Sequence, residues 1–189
     1  PSHFIYHQCE QCVDKMGAPG DIYERELKFL LSGDSKIINK MVKTCDETEE
    51  SGYRRMEDQP FVVIRAAGSL GVDLVALRWD FSFPIEVKSS SDRTMHFSRN
   101  QRLTEQATNM MENCMKSHVI PIYAMRLKNY RGDPWRLFAL PIEEELRGSM
   151  GLLQRKIPKI DVNSNGNYIM RWDDGMKLSE FMSYVSMNM

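Results

Sequence analysis

Three short apolar runs follow one another closely: Phe61–Ile64, Val72–Leu77 and Phe83–Lys88. Each is rich in β-branched or aromatic residues and too short for a stable helix, and Gly68 to Gly71 supplies a turn between the first two. Behind them, residues 99–117 place Leu103, Ala107, Met110, Met111 and Cys114 on one helical stripe. Residues 119–126 and 135–140 read as two further strands, with Pro121 near a strand start or an edge. Strands interrupted by one long amphipathic helix predict an α/β fold with a mixed central sheet flanked by helices.

The rest of the chain is organised around this block. Residues 1–20 are polar and read as a loose arm. Asp21 is the expected N-cap of a helix over 22–31, whose apolar positions Tyr23, Leu27, Leu30 and Leu31 recur at helical spacing. A short amphipathic helix is possible over 35–44, and residues 45–60 read as an acidic, mobile loop. In the tail, Asn163-Ser164-Asn165-Gly166 separates two apolar runs, 157–162 and 168–172, which predicts a hairpin; a last helix is expected near 178–185. The predicted organisation is an arm (1–20), a core (21–140) with an acidic insertion at 32–60, and a hairpin and helix (141–189) appended to the core.

Composition narrows the class. The 42% hydrophobic and 27% charged fractions are those of a globular protein, and no apolar run approaches the ~20 residues that span a bilayer. No signal-peptide layout is read at the N-terminus, so an intracellular protein without membrane contact is expected. Cys9 and Cys12 form a C-x-x-C beside His3 and His7, but no second half of a zinc site follows; reduced thiols are the reading kept. The 14 methionines are read mainly as core filling. A net charge of −1 argues against a general nucleic-acid binder. Its distribution says more: residues 41–60 hold three basic against six acidic residues, whereas residues 61–140 hold eleven basic against seven acidic.

Chemistry concentrates in Pro84-Ile85-Glu86-Val87-Lys88. On a strand Glu86 and Lys88 share one face while Ile85 and Val87 point to the other. A carboxylate and an ammonium in so apolar a setting are costly unless they serve a purpose. One strand and a reversal bring Asp73 beside Glu86, and two adjoining carboxylates suit a hard divalent cation, Mg²⁺ with Mn²⁺ as substitute. Such a cation activates water against a phosphodiester, and Lys88 can steady the charge that develops. Glu24 can complete the metal shell. Arg65 and Ser69, just before Asp73, can hold a phosphate, with Gly68 and Gly71 allowing close backbone approach. Against this stands a plain same-face ion pair, since D…E-x-K patterns also arise by chance.

A wider set of residues carries a resemblance. Glu24-Arg25-Glu26-Leu27, Phe61 through Ser69, Val72-Asp73-Leu74-Val75-Ala76 and Ile85-Glu86-Val87-Lys88 occur in the order and spacing of the archaeal Holliday junction resolvases, members of the PD-(D/E)xK nuclease superfamily. The chain resembles them over 22–31 and 61–140 and only loosely in its tail. The resemblance implies the restriction-endonuclease-like fold and Mg²⁺-dependent cutting of four-way junction DNA in recombination and repair. It further implies a homodimer matching a twofold-symmetric substrate, in the cytoplasm with the nucleoid, without a small-molecule cofactor. It implies Asp73, Glu86 and Lys88 as the catalytic core with Glu24 and Ser69 beside them, Glu24, Asp73 and Glu86 as metal ligands, and Arg25, Arg65, Arg93, His96, Arg99 and Arg102 as DNA contacts. The 32–60 insertion and the N-terminal arm depart from the family, which leaves open a nuclease for other DNA or a non-catalytic DNA-binding relative.

Overall fold

The computed structural model describes residues 19–66, 71–99, 101–143 and 145–187. The N-terminal arm, including Cys9 and Cys12, lies outside the described residues. Helix α1 (Pro19–Leu31) buries Leu27, Leu30 and Leu31, as their spacing predicts. It begins at Pro19, so Asp21 lies inside the first turn and is not the N-cap; proline at a helix start forfeits only a donor that has no partner there. Gly33 ends α1 at φ +72°, and a β-carbon there would sit 2.3 Å from the Met56 carbonyl oxygen. Glycine is needed at this position for both reasons. Asp34 then caps α2 (Ser35–Met41), its Oδ1 accepting from the Ile37 N–H at 3.0 Å.

Residues 45–60, expected as a mobile acidic loop, are mostly helix: α3 spans Glu47–Asp58. Its acidic residues are the reason. Asp46 and Glu49 form a reciprocal capping box, at 2.8 and 3.2 Å, and Glu47, Glu49 and Glu50 lie where the helix dipole favours negative charge. Tyr53 and Met56 are fully buried, so two apolar side chains suffice to seat the helix. Gly52 faces α6 (Leu178–Met187) so closely that a β-carbon would come within 2.2 Å of the Ser179 carbonyl oxygen.

The main sheet has the order β1 (Val62–Arg65), β2 (Leu74–Leu77), β3 (Ser82–Ser90), β5 (Ile122–Leu127), β6 (Trp135–Ala139) and β9 (Met176–Lys177). Only β3 and β5 pair in parallel, joined through the crossover that contains α4 (Gln101–Ser117); the other pairs are antiparallel. Side-chain alternation divides the core. Leu74, Ala76, Ile85, Ile122, Ala124 and Leu137 join one cluster with α1, α3 and α6, while Tyr123, Met125 and Phe138 join Ala107, Met110 and Cys114 of α4 in another. Met56, Met110, Met125, Met170, Met176 and Met182 are all core residues, in keeping with core filling.

The tail forms the expected hairpin, β7 (Asp161–Val162) against β8 (Tyr168–Arg171), with Asn163 Oδ1 accepting from the N–H groups of Asn165 and Asn167. On its other side β8 pairs with β4 (Thr94–His96), giving a second, three-stranded sheet. Helix α5 (Gly148–Lys156) precedes the hairpin. Buried Asp133 joins distant parts of the chain: its carboxylate accepts from Tyr53 Oη (2.8 Å), Trp135 N (3.0 Å) and Ser179 N (2.8 Å). Among the described residues, no helix is long and apolar enough to cross a membrane.

Candidate active site

Asp73 stands just ahead of β2. Its N–H donates to the Ile85 carbonyl at 3.0 Å, and its Oδ2 accepts the Val87 N–H at 2.8 Å, which sets the carboxylate against the β3 backbone beside Glu86. The expected apposition of the two acids is therefore present. Its source is the antiparallel register that places Leu74 opposite Ile85.

Glu86 is only 2% exposed. Its Oε1 accepts from Lys88 Nζ at 2.5 Å, whereas its Oε2 is buried with no hydrogen-bond partner. Burial pushes the Glu86 pKa up to about 7; the Lys88 ammonium opposes that rise and the Asp73 carboxylate adds to it. A buried carboxylate oxygen without a partner is costly, and a cation placed there would supply one. The donor set fits a hard divalent ion: the hard carboxylate oxygens of Asp73 and Glu86, with Glu86 Oε2 left without a partner.

Lys88 also reaches Gln106 on α4, Nζ to Oε1 at 3.4 Å, and Gln106 Nε2 donates to the Gly71 carbonyl at 3.3 Å. Gln106 thus links Lys88 to the turn leading into Asp73. The sequence reading missed it. The available signal was its position beside the buried Ala107 stripe, where a polar side chain needs a partner.

Glu24 and Arg65 form an ion pair, Nη2 to Oε2 at 2.6 Å. Among the described residues no group of three or more His, Cys, Asp or Glu side chains stands ready to hold a metal, so Glu24 does not complete a three-carboxylate cluster with Asp73 and Glu86 in this state. Its neighbour Glu26 has a structural role, accepting from Arg126 Nε at 2.7 Å and Trp135 Nε1 at 2.9 Å.

The other basic residues are spread more widely. Arg25 lies half-buried on α1, and Arg102 lies exposed in the first turn of α4. Arg93 pairs with Asp173 and places its guanidinium 5.1 Å from the Trp172 ring centre, so it is engaged by the tail. His96 ends β4, opposite Ile169 of β8. Ser69 and the side chain of Arg99 lie outside the described part of the structure.

No protein-family model matches the sequence, and no curated protein matches it in sequence. Among solved structures, the chain is similar to Hjc, a Holliday junction resolvase from the archaeal hyperthermophile Archaeoglobus fulgidus. The match has a TM-score of 0.50 and 16% identity, and it covers 88% of this chain and 97% of that one. At such identity the likeness is one of architecture: the chain has a mixed six-stranded sheet flanked by helices, in the restriction-endonuclease-like arrangement.

Proposed function

We propose that this chain is a divalent-metal-dependent DNA endonuclease that cuts four-way junctions. The observation that carries the reading is the partnerless Oε2 of buried Glu86, beside Asp73 and in the same side-chain network as Lys88. Asp73 and Glu86 would hold the ion, Mg²⁺ with Mn²⁺ as substitute. When bound, such an ion lowers the pKa of a coordinated water and neutralises phosphoryl charge.

The chain's own groups do the rest. Asp73 is fixed by the Val87 N–H, so its free oxygen keeps a set direction. Lys88, held between Glu86 and Gln106, offers its ammonium to a phosphoryl oxygen as the phosphodiester bond breaks. Arg65 would donate to a DNA phosphate, and Glu24, now its ion-pair partner, would then be available as a further ligand for the ion. Ser69, Arg25, Arg93, His96, Arg99 and Arg102 bind further phosphates, which fix register on the DNA without reading sequence.

A homodimer supplies two such sites to a twofold-symmetric junction. Val62, Ile64 and Leu77 are exposed on β1 and β2, with Val62 directly opposite Leu77, and they offer an apolar face for a second copy. The protein works in the cytoplasm, at the nucleoid, in recombination and repair.

The test is cleavage of labelled four-way, flap and linear duplex DNA in Mg²⁺. Paired nicks on the junction alone support the proposal. Equal cutting of linear duplex assigns the same chemistry to other DNA, and binding without cutting by the wild type removes the nuclease reading.

A further inference from the structure

Strand β5 is buried almost throughout, and Tyr123 places a phenol in the middle of it at 0% exposure. A buried tyrosine ordinarily finds a partner for its hydroxyl. Tyr123 Oη has none. The parallel register of β3 and β5 sets Tyr123 directly beside Glu86, and paired residues on neighbouring strands point to the same face. Two adjoining side chains on one face thus each hold a buried polar atom without a partner: Glu86 Oε2 and Tyr123 Oη.

The surroundings leave the phenol few other uses. Its ring packs against Phe97, with centroids 5.5 Å apart. The nearby Tyr168 hydroxyl is turned to Met111 Sδ at 3.9 Å. A phenol carries its proton at neutral pH, so the hydroxyl acts as a donor.

We propose that Tyr123 is a positioning residue for the cation held by Asp73 and Glu86: its hydroxyl donates to the oxygen ligands around that ion and orients the Glu86 carboxylate toward it. This rests on the metal-site reading above. Outer donors of this kind set the orientation and strength of the ligands they touch, and their loss weakens metal binding about tenfold or more.

Tyr123→Phe keeps the ring against Phe97 and removes only the oxygen. Mn²⁺ binding to the full chain without DNA, measured by titration calorimetry, is expected to weaken about tenfold. The Mg²⁺ concentration for half-maximal cleavage should rise by the same factor, while the rate at saturating Mg²⁺ stays near that of the wild type. A purely structural phenol gives the opposite pattern, a shifted melting temperature with Mn²⁺ affinity unchanged, and that result overturns the inference. Wild-type protein that binds no Mn²⁺, or binds it equally well after Asp73→Ala and Glu86→Ala, overturns the metal-site reading and this inference with it. Wild-type binding that needs both acids but ignores Tyr123→Phe overturns the inference alone.

Discussion

Glu24 on the first helix and Arg65 at the end of the first strand are held together by an ion pair of 2.6 Å. Both side chains are partly exposed, so the pair itself adds little to stability. Its significance is that each partner has a second proposed use, Glu24 toward the cation and Arg65 toward phosphate.

Glu24→Gln weakens the hold on Arg65 and is expected to tighten junction binding about two- to fivefold while slowing cleavage. Arg65→Ala should weaken binding and lower the slope of log affinity against log salt by about one. Gel-shift titrations at several salt concentrations check both. Parallel weakening by the two substitutions rules out this competition.

Asp73→Ala and Glu86→Ala are expected to abolish cleavage and leave junction binding within about threefold, because affinity comes chiefly from phosphate contacts. Without metal, Glu86→Gln should melt no lower than the wild type, since it removes a buried carboxylate that lacks a partner on one oxygen. Cleavage at a normal rate by either alanine variant removes the site assignment.

Metal affinity should depend on pH through Glu86. Its folded-state pKa of about 7 lies above the ordinary value of 4.5, so between those values the folded protein retains a proton that the unfolded chain has lost. This favourable contribution is present at low pH and is lost as pH rises through about 7, a range worth on the order of 3 kcal/mol. Binding of a cation needs the ionised form, so Mn²⁺ affinity should climb from pH 5 to about 7 and level off above it. Calorimetry across that range is the check, and a flat profile contradicts Glu86 as a ligand.

Gln106→Ala removes the link from Lys88 to the Gly71 carbonyl. Cleavage is expected to fall about tenfold or more through loss of orientation. Circular dichroism and junction binding should be unchanged. A fall in binding equal to the fall in rate would assign Gln106 to DNA contact instead.

Asp133→Ala leaves the Tyr53 hydroxyl and the N–H groups of Trp135 and Ser179 without their acceptor. The loss should exceed about 3 kcal/mol, read as a shift in the urea midpoint. A loss below about 1 kcal/mol means that water replaces the carboxylate.

Periodicity made the central strands, α1, α4 and the tail hairpin legible, because each buries a stripe or alternates on a face. The E-x-K face and its Asp73 neighbour were legible for the same reason. Helix α3 was not. With Tyr53 and Met56 as its large apolar anchors, its signal lay in the capping box at Asp46 and Glu49, which a reading based on hydrophobic pattern passes over. Gln106 and Tyr123 were hidden differently: their meaning depends on what a parallel crossover places next to them. The pairing of Glu24 with Arg65, 41 positions apart in the chain, likewise follows from packing and has no local signature.

The lacing of β4 to β8 has a mechanical consequence. The stretch from Arg93 to His96 does not hang free but is stitched to a ribbon made by the far end of the chain. On the proposed function, DNA grip and scission would thereby be anchored in different parts of the protein. Loosening the ribbon should make a blade that still cuts but holds its cord poorly.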